Sequence, residues 1–407
     1  MQVTTDPAAV GFDPVRLARI DKHFAGYVDD GRLPGWQLAV TRHDQVAHVA
    51  SYGWRDRELG LPVEDDTVWR IASMTKPIAS VAAMTLWEEG VFELQDPVSR
   101  WIPSFADARV FDKGTAQSFQ TIPATEPVRI WHLLAHASGL SVGFMHTHVV
   151  DELYRLAGYD GVLPEGATLA SCVDDFARLP LLFQPGTRWG YGVSVDVIGR
   201  LIEIWTGQPL DVALRARVLD PLGMVDTVWY ADDSRSDRLA APYMPDPATG
   251  MAVKMEAYAA VALQPPQVMF AGGGLLGTLA DYVRFTRMLA RGGELDGARI
   301  LSPRTLKLMA RNHLPGDLGA LSTGGFAETT FDGVGFGLGF AVLLDNVPIR
   351  NSASPGEFYW GGAFSTAFWV DPVEQVTAVF MTQLLPSSTY PIRSQLRQLV
   401  YSALVDG

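Results

Sequence analysis

The chain has 407 residues, of which 48% are hydrophobic, so it can bury a large core and exceeds the usual size of one domain. Its net charge of −13 disfavours binding to nucleic acid or to an anionic membrane surface, and its single cysteine excludes an intrachain disulfide and a cysteine-based metal site. The N-terminus lacks the basic end and apolar run of a signal peptide, and no stretch approaches the roughly 18 apolar residues that span a bilayer. We therefore expect a cytoplasmic protein with no membrane or nucleic-acid partner.

Both ends of the chain carry sheet-forming patterns. Residues 14–30 show apolar side chains at helical spacing, and the two strand-like runs that follow meet at His43-Asp44, which is a hairpin signal. Three further strand-like runs lie near the C-terminus, with a tight turn at Asp371-Pro372 before the last run and a closing helix over about residues 391–405. The termini are therefore predicted to meet in one antiparallel sheet flanked by helices.

The middle of the chain differs from its ends. From about residue 75 to residue 330 it is richer in helical periodicity and in loops with proline and glycine. This predicts an α/β (α+β) fold in which residues 1–75 and 330–407 form the sheet domain. Residues 76–329 then form a mostly helical inserted domain, with the active site between the two.

The stretch RIASMTKPIASVAAMTLWEEG, residues 70–90, contains the only S-x-x-K motif of the chain, Ser73 and Lys76. The Ala-rich run predicts a helix that starts near Ser73, with Gly90 at its C-terminal end and Pro77 in the first turn, where a missing N–H costs little. Lys76 then lies on the same face as Ser73, within reach of its hydroxyl, and the helix N-terminus favours a developing oxyanion. The alternative is a serine cap followed by a surface lysine.

A lysine base needs a partner, because an ordinary lysine with a pKa of ~10.4 is mostly protonated at neutral pH. Tyr191 lies in the glycine-flanked loop PGTRWGYG, just before an amphipathic helix. A phenol with a pKa of ~10 nearly matches an ammonium group, so a proton can pass between the two at small cost. Without Ser73, an ordinary surface or core tyrosine would be the simpler interpretation.

A third segment, FYWGGAFSTAFWVDP, is a strand pattern interrupted by Gly361-Gly362. Glycines within a strand let another backbone or a ligand approach closely. An edge of this kind can supply an oxyanion-binding N–H, here that of Ala363. A simple β-bulge is the alternative.

In this order and at these separations, the segments resemble those of a known family. The chain is similar to serine hydrolases of the class C β-lactamase and penicillin-binding-protein superfamily and, more closely, to the family VIII carboxylesterases. The matching segments cover nearly the whole length: WRIASMTKP, VRIWHLLAHASGL, PGTRWGYG, AGGGLLGTLADYVRFTRML and WGGAFSTAFWVDP. The resemblance implies a β-lactamase-like fold, a covalent acyl-enzyme on Ser73, Lys76 and Tyr191 as the acid/base pair, and an oxyanion hole formed by the N–H groups of Ser73 and Ala363.

The chain departs from the β-lactamase pattern at two places. Val193 stands where the tyrosine motif of those enzymes ends in asparagine, and Trp360-Gly361-Gly362 replaces their Lys-Thr-Gly. An apolar valine and a tryptophan cannot bind a substrate carboxylate as an amide and a lysine do, so these substrate-binding positions predict short, neutral esters. The aromatic residues that we expect to wall the pocket are Trp131, Phe144, Phe358, Tyr359 and Phe364.

Several hypotheses stay open beside this esterase. A β-lactamase or D-amino-peptide hydrolase would use the same residues, and so would an acyltransferase that passes its acyl group to another alcohol. A silent binding protein would have no need of all three catalytic residues together. The expected partner is a small-molecule ester, and the sequence is compatible with a homo-oligomer. No cofactor is expected, because His146 and His148 lack a third metal ligand nearby. We interpret His136 as a structural residue.

Overall fold

The computed structural model describes residues 1–161, 163–323 and 331–406. The α-helices of these residues, in chain order, are α1 Pro14–Asp29, α2 Thr75–Glu88, α3 Ile130–Leu134, α4 Val149–Leu156, α5 Leu169–Arg178, α6 Ser194–Thr206, α7 Leu210–Leu214, α8 Glu256–Ala259, α9 Leu279–Ala290, α10 Pro303–Met309, α11 Leu318–Leu321, α12 Asn346–Ile349 and α13 Ile392–Ser402.

The strands are β1 Gly35–Arg42, β2 Gln45–Asp56, β3 Leu61–Pro62, β4 Val68–Arg70, β5 Arg109–Thr115, β6 Ser118–Pro123, β7 Tyr243–Pro245, β8 Ala252–Lys254, β9 Leu276–Thr278, β10 Glu294–Leu295, β11 Ala298–Arg299, β12 Val334–Phe336, β13 Ala341–Leu343, β14 Phe358–Gly361, β15 Ala367–Asp371 and β16 Val376–Thr382.

Within the described residues the main sheet has eight strands in the order β12-β13-β14-β15-β16-β1-β2-β3, and all neighbours are antiparallel. The first and last strands in the sequence meet at its centre, where β1 pairs with β16 from Trp36 opposite Thr382 to Arg42 opposite Val376. The hairpin of β1 and β2 turns at His43-Asp44, with positive φ angles of 50° and 64°, as its two-residue turn requires. The predicted sheet from both chain ends is confirmed.

The C-terminal half of the sheet contains more strands than the sequence predicted. The three expected runs are five strands, because two of the runs turn back on themselves. Gly339, with a φ of 99°, lies in the connection between β12 and β13. The glycine-containing turn at residues 362–366 separates β14 from β15. Gly339 and Gly362 therefore lie in hairpin connections, whereas Gly361 is the last residue of β14.

Helices cover both faces of this sheet. Phe24 of α1 packs against Phe380 of β16 at a ring distance of 4.9 Å, and α13 packs against α1. On the other face, Tyr282 of α9 packs against Phe368 of β15 at 5.2 Å. Phe368 pairs with Val379, the neighbour of Phe380, and successive side chains of a strand point to opposite faces. The sheet is therefore buried between two helical layers.

The predicted mostly helical region includes α2, which contacts α6 and α7 and is buried over almost its whole length. The predicted boundary between residues 75 and 76 falls inside α2, after its first residue. The predicted boundary between residues 329 and 330 lies outside the described residues, so the two-domain division stays a prediction. None of the helices in the described ranges is long and apolar enough to cross a lipid bilayer.

Candidate active site

Ser73 lies in a turn of 3₁₀-helix, Ala72–Met74, that leads directly into α2. Lys76 is the second residue of α2, and its Nζ donates to the Oγ of Ser73 at 3.3 Å and to the carbonyl oxygen of Gly272. Pro77 is in the first helical turn, as predicted. Ser73 makes no capping bond, and Lys76 is only 5% exposed. The alternative of a serine cap with a surface lysine is therefore wrong.

The backbone before Ser73 takes a sharp bend. Ala72 has a φ of 44°, in the left-handed region that residues other than glycine rarely adopt. The bend carries the chain from β4 into the 3₁₀ turn. Within the described residues, the N–H of Ser73 has no acceptor in the protein. The bend at Ala72 therefore precedes a backbone N–H, that of Ser73, which stays available for a ligand beside the Ser73 hydroxyl.

Tyr191 comes to the same point from the loop before α6. Its hydroxyl lies 2.6 Å from the Oγ of Ser73, and the Nζ of Lys76 lies 4.6 Å from the centre of its ring. Backbone hydrogen bonds hold the loop on both sides of the tyrosine. The N–H of Gly190 donates to the carbonyl of His136 at 2.9 Å, and the N–H of Val193 donates to the carbonyl of Ser141 at 3.1 Å. The side chains of Ser73, Lys76 and Tyr191 therefore meet, although Tyr191 is 118 residues from Ser73 in the sequence.

His136 forms the platform beneath Tyr191. Its ring stacks on that of Tyr191 with centroids 5.1 Å apart, and it is 1% exposed. Burial, reinforced by the positive charge of Lys76, lowers the pKa of His136 well below its usual value. The imidazole is therefore neutral at pH 7 and packs against the phenol without adding charge.

Asp196 is a buried acid at this site that the sequence analysis missed. Its Oδ1 accepts the N–H of Gly272 at 2.7 Å, and the carbonyl of Gly272 accepts from Lys76. Burial raises the pKa of Asp196 to about 6, although the charge of Lys76 and the hydrogen bond from Gly272 act in the opposite direction. Its only sequence signal was its place in the first turn of an apolar helix, five residues after Tyr191.

Ala363 lies in the turn between β14 and β15. The turn is closed by a bond from Gly362 N–H to the Thr366 carbonyl at 2.9 Å and by one from Ser365 N–H to the Gly362 carbonyl at 3.1 Å. The N–H of Ala363 has no acceptor in the part of the chain that the structure describes. A Cβ on Gly362 would overlap Thr366 Oγ1 and lie 2.5 Å from the carbonyl oxygen of Ile71. The predicted close approach is therefore real, and the β14–β15 register contains no bulge.

Two cavities meet at Ser73 and Tyr191. The larger has a volume of about 560 Å³ and includes Val193 and a mostly apolar wall, among others Phe144, Trp229, Val268, Phe270 and Phe364. The smaller, of about 330 Å³, is lined by residues that include Tyr359, Trp360, Gly361, Gly362 and Arg393. Ala363 borders both cavities.

Two of the expected aromatic walls lie elsewhere. Phe358 packs into the core against Phe340 at a ring distance of 5.1 Å and borders neither cavity. Trp131 packs against His132 at 4.2 Å and borders neither cavity. Phe144, Tyr359 and Phe364 do line the cavities.

Two arginines were also missed by the sequence analysis. Arg70 lines the larger cavity, is 5% exposed, and donates to the carbonyls of Ala240 at 2.6 Å and Ala259 at 2.9 Å. Burial lowers the pKa of Arg70 to about 10, which still leaves it charged at neutral pH. Arg393 lines the smaller cavity. Arg70 lies three residues before Ser73 in the quoted stretch, whereas Arg393 has no local sequence signal because it reaches the site through tertiary packing.

Comparison with known proteins gives a consistent result. A family model described as Beta-lactamase matches residues 20–402. A Mycobacterium tuberculosis protein is 34% identical over 88% of each chain, and Esterase EstB of Burkholderia gladioli is 32% identical over 98% of each chain. Among solved structures, EstCE1, described as a hydrolase with promiscuous acyltransferase activity, aligns with a TM-score of 0.78 and 28% identity over 95% of this chain and 98% of its own.

Proposed function

Since this chain belongs to the β-lactamase family and has a β-lactamase-like fold, we propose that it is a serine carboxylesterase of the family VIII type. The observation that supports the proposal most strongly is the 2.6 Å contact between Ser73 Oγ and Tyr191 OH, with Lys76 Nζ 3.3 Å from the same oxygen. A serine whose hydroxyl contacts both a phenol and an amine is arranged as an activated nucleophile once that pair has lost one proton.

In the proposed reaction the Tyr191–Lys76 pair starts with one proton fewer than its fully protonated form, and Ser73 Oγ attacks the ester carbonyl carbon while its proton passes to that pair. The carbonyl oxygen becomes an oxyanion that accepts from the N–H groups of Ser73 and Ala363, the two backbone donors described above. Collapse of the tetrahedral intermediate breaks the ester C–O bond, and the alcohol leaves with the proton held by the pair. Water, activated by the same pair, then releases the acid from Ser73.

The substrate class that we propose is a short, neutral ester. Val193 borders the larger cavity and Trp360 the smaller one, so neither position supplies a charge for a substrate carboxylate. The arginines that line these cavities, Arg70 and Arg393, donate to backbone carbonyls. The name of Esterase EstB, whose chain aligns over nearly its full length, supports an ester substrate. The expected cytoplasmic location and a homo-oligomer stay predictions, to be checked by cell fractionation and by light scattering.

A second candidate function is acyl transfer to an alcohol other than water. Two cavities open onto Ser73, which would let an acyl group and an acceptor alcohol be held together. The description of EstCE1 includes acyltransferase activity on the same fold. Adding an alcohol to an ester hydrolysis assay and quantifying the new ester beside the free acid would distinguish transfer from hydrolysis.

The function is tested by an organophosphonate ester together with a panel of p-nitrophenyl esters and nitrocefin. We expect one covalent label on the peptide that carries Ser73, and no label in Ser73→Ala. Ser51→Ala, which changes an exposed serine, is the matched control and should label like the wild type. Labelling that persists in Ser73→Ala would reject the assignment, and nitrocefin cleaved as fast as p-nitrophenyl acetate would favour a β-lactamase.

A further inference from the structure

Arg393, the second residue of α13, contacts the turn that carries Ala363. Its Nη2 donates to the carbonyl of Gly362 at 2.9 Å and to the carbonyl of Thr366 at 3.2 Å, so it joins the two ends of this turn. A Cβ on Gly361 would lie 2.5 Å from the same Nη2. The guanidinium thus packs directly against the backbone of the glycine segment, which explains why residue 361 has no side chain.

The bond to Gly362 has an electronic consequence for the next N–H. The carbonyl of Gly362 and the N–H of Ala363 belong to one planar peptide unit and point in opposite directions. A charged donor on the carbonyl fixes the orientation of that plane, and it draws electron density toward the oxygen, which makes the N–H a stronger donor. A cation behind the peptide therefore improves oxyanion binding in front of it.

The position of Arg393 in its helix supports a role outside the helix. A cation in the first turn faces the positive end of the helix dipole, which is an unfavourable place for it. Helix stability therefore does not account for a positive charge there. The contacts with the two carbonyls give that charge a specific target outside the helix.

We propose that Arg393 is a positioning residue of the oxyanion hole, acting through the Gly362–Ala363 peptide. The inference rests on the proposed esterase function and deepens it, because it assigns the strength of one oxyanion donor to a residue that acts through the backbone. It predicts a loss in kcat with little change in KM when the guanidinium is removed, since the oxyanion develops only in the transition state.

The test compares Arg393→Ala and Arg393→Lys with Gln398→Ala, a change at an exposed position of the same helix. We expect Arg393→Ala to lose about 10–100-fold in kcat and in the rate of phosphonate labelling of Ser73, less than the 10²–10³ for outright loss of an oxyanion donor. Arg393→Lys should be intermediate, because it keeps the charge without the planar fork. Gln398→Ala should match the wild type.

Chemical rescue separates positioning from a purely structural role. Guanidinium ion, at a concentration that does not unfold the protein, should enter the smaller cavity and restore kcat of Arg393→Ala several-fold while leaving Gln398→Ala unchanged. The pH profile of the variant should keep the shape of the wild-type profile, because Lys76 and Tyr191 are untouched. A kcat within about twofold of wild type, or a loss that guanidinium does not reverse, would overturn the proposal.

A double-mutant cycle provides a second, independent test that does not depend on rescue. Gly361→Ala should lower kcat by displacing the guanidinium, and it should cost less in the Arg393→Ala background, where there is no guanidinium to displace. Strictly additive losses would reject the inference. If wild-type protein is not labelled at Ser73, the failure lies in the proposed function itself, whatever the Arg393 variants do.

Discussion

The two sides of the candidate active site are built in different ways. On the proposed proton-transfer side, the side chains of Ser73, Lys76 and Tyr191 are in contact, and Asp196 accepts a hydrogen bond from the Gly272 backbone. On the proposed oxyanion side, the groups are the backbone N–H of Ser73 and that of Ala363, and the second lies in a turn whose glycines leave room for close contacts. One side depends on which side chains are present, and the other depends on how a peptide plane is held.

This difference determines how each side responds to substitution. Truncating a side chain on the proton-transfer side removes a reacting group outright, so large effects on turnover are expected. A backbone donor cannot be deleted by a side-chain change, so the oxyanion side can be altered only through residues that hold or crowd the turn. The comparison therefore predicts large losses on one side and smaller, graded ones on the other.

The largest effect is expected for Tyr191→Phe. Loss of the hydroxyl that lies 2.6 Å from Ser73 Oγ should cost on the order of 10²–10⁴ in kcat, because the nucleophile loses its nearest proton acceptor. Ester hydrolysis followed from pH 6 to 10 is the measurement, and wild-type activity should rise toward an alkaline optimum. A loss below about tenfold would reduce Tyr191 to a positioning role and weaken the contrast between the two sides.

The next effect concerns stability and Asp196→Asn. The Asp196 carboxyl titrates near 3.8 when exposed in the unfolded chain, but burial raises its pKa to about 6 in the folded protein. Between these values the folded state keeps a proton that the unfolded chain releases, so the wild type loses stability as the pH rises through this window. The total is roughly 3 kcal/mol, for a shift of about two units.

Asp196→Asn lacks this titration, so the free energy of unfolding of the variant relative to wild type should increase by that amount between about pH 4 and pH 7. Urea unfolding of both proteins at several pH values measures the difference, in which the other titrating groups cancel. A difference that stays constant with pH would show that Asp196 is not held in a strained, buried state.

The smallest effect is expected on the oxyanion side, for Trp360→Lys. A lysine beside the smaller cavity would supply a charge-assisted contact to a carboxylate, worth ~1.5–3 kcal/mol. It would also lose the packing of the indole against Tyr191, at a ring distance of 5.9 Å, and against Phe336, at 5.2 Å. We therefore expect only about a tenfold rise in the ratio of nitrocefin to p-nitrophenyl ester turnover, at the lower end of that range.

Trp360→Phe is the matched control, because it keeps an aromatic ring and adds no charge. It should leave the ratio of the two activities near the wild-type value. An equal shift in both variants would mean that the shape of the cavity sets substrate preference, and an unmoved ratio in Trp360→Lys would mean that charge at this position is irrelevant.

Much of the fold was predictable because its signals are local. Apolar spacing predicted α1 and the closing helix, and the His43-Asp44 turn predicted the first hairpin. The predicted number of C-terminal strands, three instead of five, was wrong because a glycine inside a strand pattern is equally compatible with a bulge and with a hairpin connection. Which of these forms depends on whether the flanking residues find partners in other strands.

The sequence by itself determined the spacing of Ser73 and Lys76, since three residues on a helix place two side chains together whatever surrounds them. It also fixed the resemblance that made Tyr191 and Ala363 candidates. Only the tertiary structure decided that the tyrosine hydroxyl meets the serine, that Asp196 lies buried behind Gly272, and that Arg393 reaches the Gly362 carbonyl from α13. These contacts join residues that are far apart in the sequence: 118 residues for Ser73 and Tyr191, 76 for Asp196 and Gly272, and 31 for Gly362 and Arg393. The physical reason is that no local propensity specifies the packing that brings such residues together.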